Sequence, residues 1–530
     1  MGSFFNPGNE GYRQMLASST YVDKSGVISL LNPRIGVTDS KYVCVSRARR
    51  FGKTWTADML AAYYSRGCDS QALFGGQQIA KDPGFAAHLN AHDVVHLNIA
   101  YFYRLEKGNI EKALENLTEK VVSEIAAWYP DLIFGHKSEL SASLMELSAH
   151  TKVQIVFIID EWDHILRDTA SPTAHKAYIE FLNQLLRDQA YVGLCYMTGI
   201  LPIKKYKGQS SIGFFKEYSM LQPKQFAPFM GFTDTDVHAL CDKHGKSYEL
   251  MKSNYDGYRM GTEAAVYCPL SVASAIQEGD YAGYWGRTDT FESLSGLISR
   301  NFGGLRDDVV RLLSGERVAI DTFGYQNDLN DVANRDDVFT ALAHMGYLGF
   351  SGTGESAGEV FIPNWEVAKQ YQTAVSRIGT PRVSQLIAQS EKLLKATWEK
   401  DGGFVAAHLD EAHALETSVL RYHDENSLAC TIDIAYYAAK EYYATFRELP
   451  TGKGFADVAF LPRGGYPGKP AMLVELKWHK KATSAIDQIK NKRYPQHIAD
   501  LNPGETLLLV GINYDKKTKK HTCLIEELRT

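Results

Sequence analysis

Short runs of consecutive apolar residues punctuate the first part of this chain: Tyr42-Val43-Cys44-Val45, a stretch near 94–99, Ile155 to Ile159, and Gly193-Leu194-Cys195-Tyr196-Met197. Runs this short, without polar alternation, predict strands buried on both faces, and the segments between them are helical in pattern. That order predicts a parallel sheet with helices on both faces. From about 233 to 389 the chain turns more polar and helical, with few strand candidates. Asp336 to His344 predicts a helix, Gly346 to Phe350 a strand, Ser351-Gly352-Thr353-Gly354 a turn, and Glu359 to Ile362 the returning strand. Residues 390–422 read as helix with Leu393, Leu394, Leu409, Leu415 and Leu420 as core. Two apolar strands follow, one with Phe455, Val458 and Phe460, the other running from Met472 to Leu476. A hairpin through Pro462-Arg463-Gly464-Gly465 would join them, and a helix over 482–493 would come next. The pattern divides the chain into 1–228, 229–389 and 390–530. A helix followed by a hairpin in the middle region looks like a winged helix, read as a lid before a DNA-binding module because the stretch is not notably basic.

Composition narrows the class. The chain has 530 residues, too many for one core, with 45% hydrophobic and 22% charged residues, as in ordinary globular proteins. No apolar run approaches the roughly 18 residues that span a bilayer, and the first residues lack a basic segment before an apolar one, so a cytoplasmic protein is expected. Seven scattered cysteines, never in a Cys-x-x-Cys pair, point to reduced buried thiols and not to a disulfide framework or a zinc site. Net charge is −5, yet Lys477, His479, Lys480, Lys481, Lys490, Lys492 and Arg493 cluster in sequence, as phosphate-binding surfaces do. Lys516, Lys517, Lys519 and Lys520 read better as a solvated turn. Tyr436, Tyr437, Tyr442 and Tyr443 could stack bases, but the alanines among them favour core packing.

Charges inside the two C-terminal strands need a reason. Alternation puts Glu475 and Lys477 on one face, and a hairpin can bring Asp457 beside them. Two carboxylates would hold Mg²⁺ with positions left for water and a phosphate oxygen, and Lys477 would orient the water and steady the developing charge. Gln488 and Lys490 could approach this site or a nucleic-acid backbone. The plain alternative is a cross-strand ion pair. Seventeen residues separate Asp457 from Glu475. With an Asp on one strand and Glu-x-Lys on the next, this region resembles the PD-(D/E)XK nuclease superfamily. Many members of that superfamily carry a further acid on a preceding helix; Glu425 is the candidate, although Asp424-Glu425-Asn426 also reads as a helix start.

A second constellation lies at Ser46-Arg47-Ala48-Arg49-Arg50-Phe51-Gly52-Lys53-Thr54, between a strand and an amphipathic helix, as in a phosphate-binding P-loop. Backbone amides would cradle phosphates, Lys53 would reach the β and γ phosphates of ATP, and Thr54 would ligate Mg²⁺. Arg47 stands where the usual pattern has glycine, so the loop must turn differently or carry strain. Asp160 closes the Ile155 to Ile159 strand, placed to hold the Mg²⁺ water shell. Glu161 would polarise the attacking water, and Thr198 would sense the γ-phosphate. Asp160 or Asp163 could instead be a helix cap.

With Tyr21-Val22-Asp23-Lys24, Arg49-Arg50-Phe51-Gly52-Lys53-Thr54, Asp160-Glu161-Trp162-Asp163 and Thr198-Gly199-Ile200-Leu201-Pro202, the chain resembles the bacterial AAA-ATPase-like proteins. Their members commonly end in a PD-(D/E)XK nuclease domain. Tyr255-Asp256-Gly257-Tyr258, Pro269-Leu270-Ser271-Val272 and Ile362-Pro363-Asn364-Trp365 extend the resemblance through the middle. This family also shows the loop without its first glycine, and it implies Arg50 and Gly52 as nucleotide-binding positions. The expected protein is α/β: a P-loop ATPase domain, a helical and winged-helix-like middle, and a nuclease-like C-terminal domain. ATP and Mg²⁺ are its cofactors, with nucleic acid as partner, DNA ahead of RNA. The resemblance also implies links to defence against foreign DNA or to mobile elements. The competing expectation is a nucleotide-dependent switch with little nuclease activity. A homo-oligomer would follow if a neighbour supplied an arginine finger, for which Arg187 is the candidate.

Overall fold

The apolar runs fold as strands where expected: β1 (Tyr42–Ser46), β2 (Asp93–Asn98), β3 (Ile155–Asp160) and β4 (Val192–Gly199), joined by a short β5 (Lys216–Tyr218) that the pattern did not mark. Their order is β2-β3-β4-β1-β5, and the pairings are parallel. β1, β3 and β4 are buried at every position. Flanking helices make them so, among them Lys53–Tyr64, Ile110–Trp128, Leu140–Thr151 and Pro172–Leu186. Phe157, Ile159, Leu117, Val121, Leu144 and Leu182 share one core, each such side chain contributing roughly 1.5–3 kcal/mol by leaving water. In register, Thr198 pairs with Val45 on one side and with Asp160 on the other, so the carboxyl ends of β1, β4 and β3 lie level. Ligands of open α/β sheets bind outside such ends.

The computed structural model describes residues 2–529 apart from 170, 204–211, 262, 288–290, 314, 327–328, 330–331, 353–356, 379–380, 417–431, 433–434, 451–454, 463–467, 479–480, 492–505 and 516. Among the described residues no helix is long and apolar enough to cross a membrane, and the six described cysteines are free thiols.

Two small sheets follow. β6 (Phe232–Thr233), β7 (Tyr258–Met260) and β8 (Glu263–Tyr267) run in the order β6-β8-β7, strands too short to show a period in the sequence. β9 (Val318–Asp321), β10 (Gly349–Gly352) and β11 (Ala357–Phe361) run in the order β10-β11-β9. The helix Arg335–His344 precedes this hairpin as expected, capped by the Asn334 side chain, which accepts the Asp337 N–H. The strand begins later than the apolar run because Gly346, at φ 86°, turns the chain out of the helix first.

The C-terminal sheet holds β12 (Tyr443–Pro450), β13 (Phe455–Pro462), β14 (Ala471–Trp478), β15 (Thr506–Asp515) and β16 (Lys520–Arg529), in sequential order. β14 pairs antiparallel with β13 and parallel with β15. A parallel pair needs a crossover, which here includes the helix Ala482–Asn491. Ile486 and Ile489 pack on Leu473, Leu507 and Leu509. The opposite face packs Val458, Met472, Val474 and Leu476 with Leu393, Leu409 and Tyr436. Tyr436, Tyr437 and Tyr443 are buried, as core packing requires. The expected turn at 463–465 and Leu420 lie outside the described residues.

The chain forms two compact units. One comprises residues 1–240, 258–273 and 319–360; the other comprises 241–257, 274–318 and 361–530.

Candidate functional site

In the first unit, β1 runs into a loop and then into the helix Lys53–Tyr64. Arg47 does not turn left-handed where a general P-loop has its first glycine. Its N–H stays in the sheet, donating to Gly199 O at 2.9 Å, and its buried guanidinium reaches Thr56 Oγ1 at 3.2 Å and Tyr196 OH at 3.4 Å. The left-handed turns fall instead at Arg50, φ 69°, and Gly52, φ 78°. Nothing lies within 4 Å of a Cβ built on Gly52, so backbone conformation and not space selects glycine there.

Lys53 is buried at the start of the helix and its ammonium donates to Ala48 O at 3.2 Å, inside the loop. Burial pushes its pKa down, against the pull of Glu161, Asp163 and Asp160. Thr54 Oγ1 donates to Asp160 Oδ2 at 2.8 Å, so hydroxyl and carboxylate meet at one point. Asp160, 1% exposed, has its pKa raised to about 6 by burial, with the Thr54 hydrogen bond opposing. This set fits a nucleotide with Mg²⁺: a buried ammonium for phosphate, and a hydroxyl and a carboxylate already in contact as hard oxygen donors.

Glu161 follows in left-handed conformation at φ 52°. Its Oε2 accepts from Arg167 Nη2 at 2.8 Å, while Arg167 Nε reaches Asp163 Oδ2 at 2.7 Å. Asp163 makes no side-chain cap on the helix His164–Asp168. Its Oδ2 accepts instead from the N–H groups of Ile200, at 3.1 Å, and Leu201, at 2.8 Å. Burial pushes the Asp163 carboxyl up, but the Arg167 charge and those amides outweigh it and hold the pKa below its usual value. Thr198 is fully buried with its hydroxyl on Val45 O at 2.8 Å, engaged within the sheet. Arg187 lies half-exposed beside Asp188.

Asn98 and Arg167 were not singled out in the sequence. Asn98 Nδ2 reaches Asp160 Oδ2 at 3.3 Å, and its Oδ1 caps the next helix by accepting the Tyr101 N–H at 3.0 Å. A polar residue closing a buried strand beside β3 was the signal for it. Arg167 had none, since a basic residue one turn past an acidic cluster is ordinary on a helix surface.

In the second unit, the β13 and β14 pairing reaches Val458 and Val474, and the next positions are Asp457 and Glu475. Asp457 Oδ2 accepts the Leu476 N–H at 2.6 Å, so its carboxylate is fixed against β14. Glu475 is 1% exposed; its Oε1 accepts from Lys477 Nζ at 2.9 Å and from Gln488 Nε2 of the crossover helix. Gly511 pairs with Glu475 on β15. A Cβ there would lie 2.5 Å from Ala482 O, so glycine lets the helix approach and brings Gln488 to the carboxylate. Lys490 turns elsewhere, to Glu526 at 2.5 Å. Glu425 lies outside the described residues, as do His479, Lys480, Lys492 and Arg493. Among the described residues no three or more His, Cys, Asp or Glu side chains gather as a metal cluster. The two carboxylates are hard oxygen donors, and they fit a Mg²⁺-like cation that keeps several of its waters.

Residues 8–207 match the family model described as predicted AAA-ATPase, and residues 423–523 match that of the PD-(D/E)XK nuclease superfamily. No curated protein matches the chain. With the P-loop set on a parallel sheet and the Asp457, Glu475 and Lys477 set on a mixed one, the chain carries an AAA-ATPase-like domain followed by a C-terminal PD-(D/E)XK nuclease superfamily domain.

Proposed function

We propose that this protein is a Mg²⁺-dependent nuclease whose cleavage of nucleic acid, DNA before RNA, is gated by ATP binding and hydrolysis in the same chain. The observation that carries the nuclease reading is the meeting of Lys477 Nζ and Gln488 Nε2 on the buried Glu475 carboxylate, with Asp457 fixed on the adjoining strand. A bound divalent cation supplies Lewis acidity at the scissile phosphate and a more acidic water. Asp457 and Glu475 would hold it. Gln488 fixes the Glu475 rotamer, and Lys477 keeps a positive charge where the attacked phosphorus gathers negative charge. In the first unit, Lys53 would neutralise the phosphates, Thr54 and Asp160 would hold the Mg²⁺ of ATP, and Glu161 would polarise the attacking water. Gating rests on both activities sharing one polypeptide. A role against foreign DNA or in mobile-element biology, in the cytoplasm, is part of the same reading and rests on the resemblance to bacterial AAA-ATPase-like proteins.

The test is cleavage of single-stranded and duplex DNA and RNA with Mg²⁺ or EDTA, and with or without ATP. Wild type should cut in Mg²⁺, and Glu475→Ala should not, while retaining ATP binding. Metal-dependent cutting that survives Glu475→Ala rejects the assigned site.

A further inference from the structure

Glu161 has two features that a resting general base does not need. Its backbone is left-handed, at φ 52°, a conformation that a non-glycine residue keeps only when its surroundings enforce it. Its carboxylate is also engaged as an acceptor, with Oε2 on the Arg167 guanidinium at 2.8 Å. A base accepts a proton with a lone pair directed at water, and an oxygen held by a guanidinium does this poorly.

The other end of Arg167 is anchored more firmly. Its Nε lies 2.7 Å from Asp163 Oδ2, and the two side chains are 10% and 1% exposed. The same Oδ2 accepts from the amides of Ile200 and Leu201, just past the carboxyl end of β4. That junction is crowded: a Cβ on Gly199 would fall 2.4 Å from Asp163 Oδ1 and 2.7 Å from the Trp162 ring. Arg167 therefore bridges a mobile-length glutamate and a buried aspartate tied to the backbone after β4. A guanidinium can fork between two acids in this way, and a lysine ammonium has no second rigid arm for it.

We infer that Arg167 is a positioning residue that latches Glu161 away from the attacking water, and that the latch is anchored through Asp163 to the segment after β4. The inference rests on the reading of the first unit as an ATPase. Movement of residues 200–201 on phosphate binding would be felt by Asp163, passed to Arg167, and would free the Glu161 carboxylate. Resting turnover is then set by the fraction of molecules with the latch open.

Arg167→Lys keeps the charge beside Asp163 and loses the fork. It should raise kcat for ATP hydrolysis roughly three- to tenfold, with KM and the ATP-induced rise in melting temperature unchanged. A structural defect would lower both kcat and ATP binding. A kcat that is unchanged or lower, in a variant that still binds ATP, overturns the latch while leaving the ATPase reading in place. If neither wild type nor variant turns over ATP although ATP raises the melting temperature of both, the hydrolysis reading itself falls. A second measurement needs no variant: in a crystal structure of wild type with Mg²⁺ and a non-hydrolysable ATP analogue, Glu161 should lie beyond hydrogen-bond reach of Arg167. An unbroken contact there overturns the proposal.

Discussion

Asp160→Asn isolates the electrostatics of the proposed nucleotide site. The Asp160 carboxyl is 1% exposed, and burial raises its pKa from 3.8 to about 6. Between those values the folded protein holds a proton that the unfolded chain has released, so the group's contribution to stability falls as pH rises through that window. A shift of about 2 units corresponds to roughly 3 kcal/mol. Asp58 adds to the same effect, its carboxyl pushed up to about 6 by burial and by the Asp160 charge, which the substitution removes. The nucleotide-free Asp160→Asn protein should therefore be about 1–3 kcal/mol more stable than wild type at pH 7, part of the gain being lost to the poorer fit of an amide. The gap should close as pH falls below 3.8, where the carboxyl is protonated in both folded and unfolded chains. Scanning calorimetry across pH reads this as a melting shift of about 1.5–2 °C per kcal/mol in a unit of this size. The same substitution should abolish stabilisation by Mg²⁺ and ATP. A variant less stable than wild type at pH 7, or a difference that does not change with pH, refutes the argument.

Glu475→Ala should reduce cleavage by at least ~100-fold and destabilise the C-terminal sheet by about 3 kcal/mol, because it leaves Lys477 buried without its carboxylate; urea melts of the second unit and nuclease assays check both. In a double-mutant cycle, Glu475→Gln combined with Lys477→Met should cost less than the sum of the single changes by more than ~1 kcal/mol, and strict additivity would show that the 2.9 Å pair is not energetically coupled. Gly511→Ala should lower cleavage by displacing the crossover helix and Gln488 from Glu475, given the 2.5 Å approach to Ala482 O; an active, equally stable variant would show the approach to be irrelevant. Lys53→Ala should lose the ATP-induced melting shift, and unchanged ATP affinity would reject the assignment of the loop.

Legibility followed burial. β1, β3 and β4 were plain in the sequence because both faces are covered, leaving unbroken apolar runs such as Ile155 to Ile159. Asp457, Glu475 and Lys477 were legible because charge interrupts apolar strands. The short strands β5, β6 and β7 have only two or three residues each, too few to show alternation. Arg47 in place of the usual glycine implied a loop that turns differently or carries strain, and the loop does turn differently, with its left-handed residues at Arg50 and Gly52. The Arg167 to Glu161 contact depends on the left-handed turn after β3, which no local period encodes, whereas Gln488 was already a candidate beside Glu475.

The chain passes between its two units five times, at 240/241, 257/258, 273/274, 318/319 and 360/361. A ribosome therefore cannot complete the first unit until residue 360 has emerged, by which time two pieces of the second are already made and waiting for the rest. No single scissor point in the gene would release either half intact.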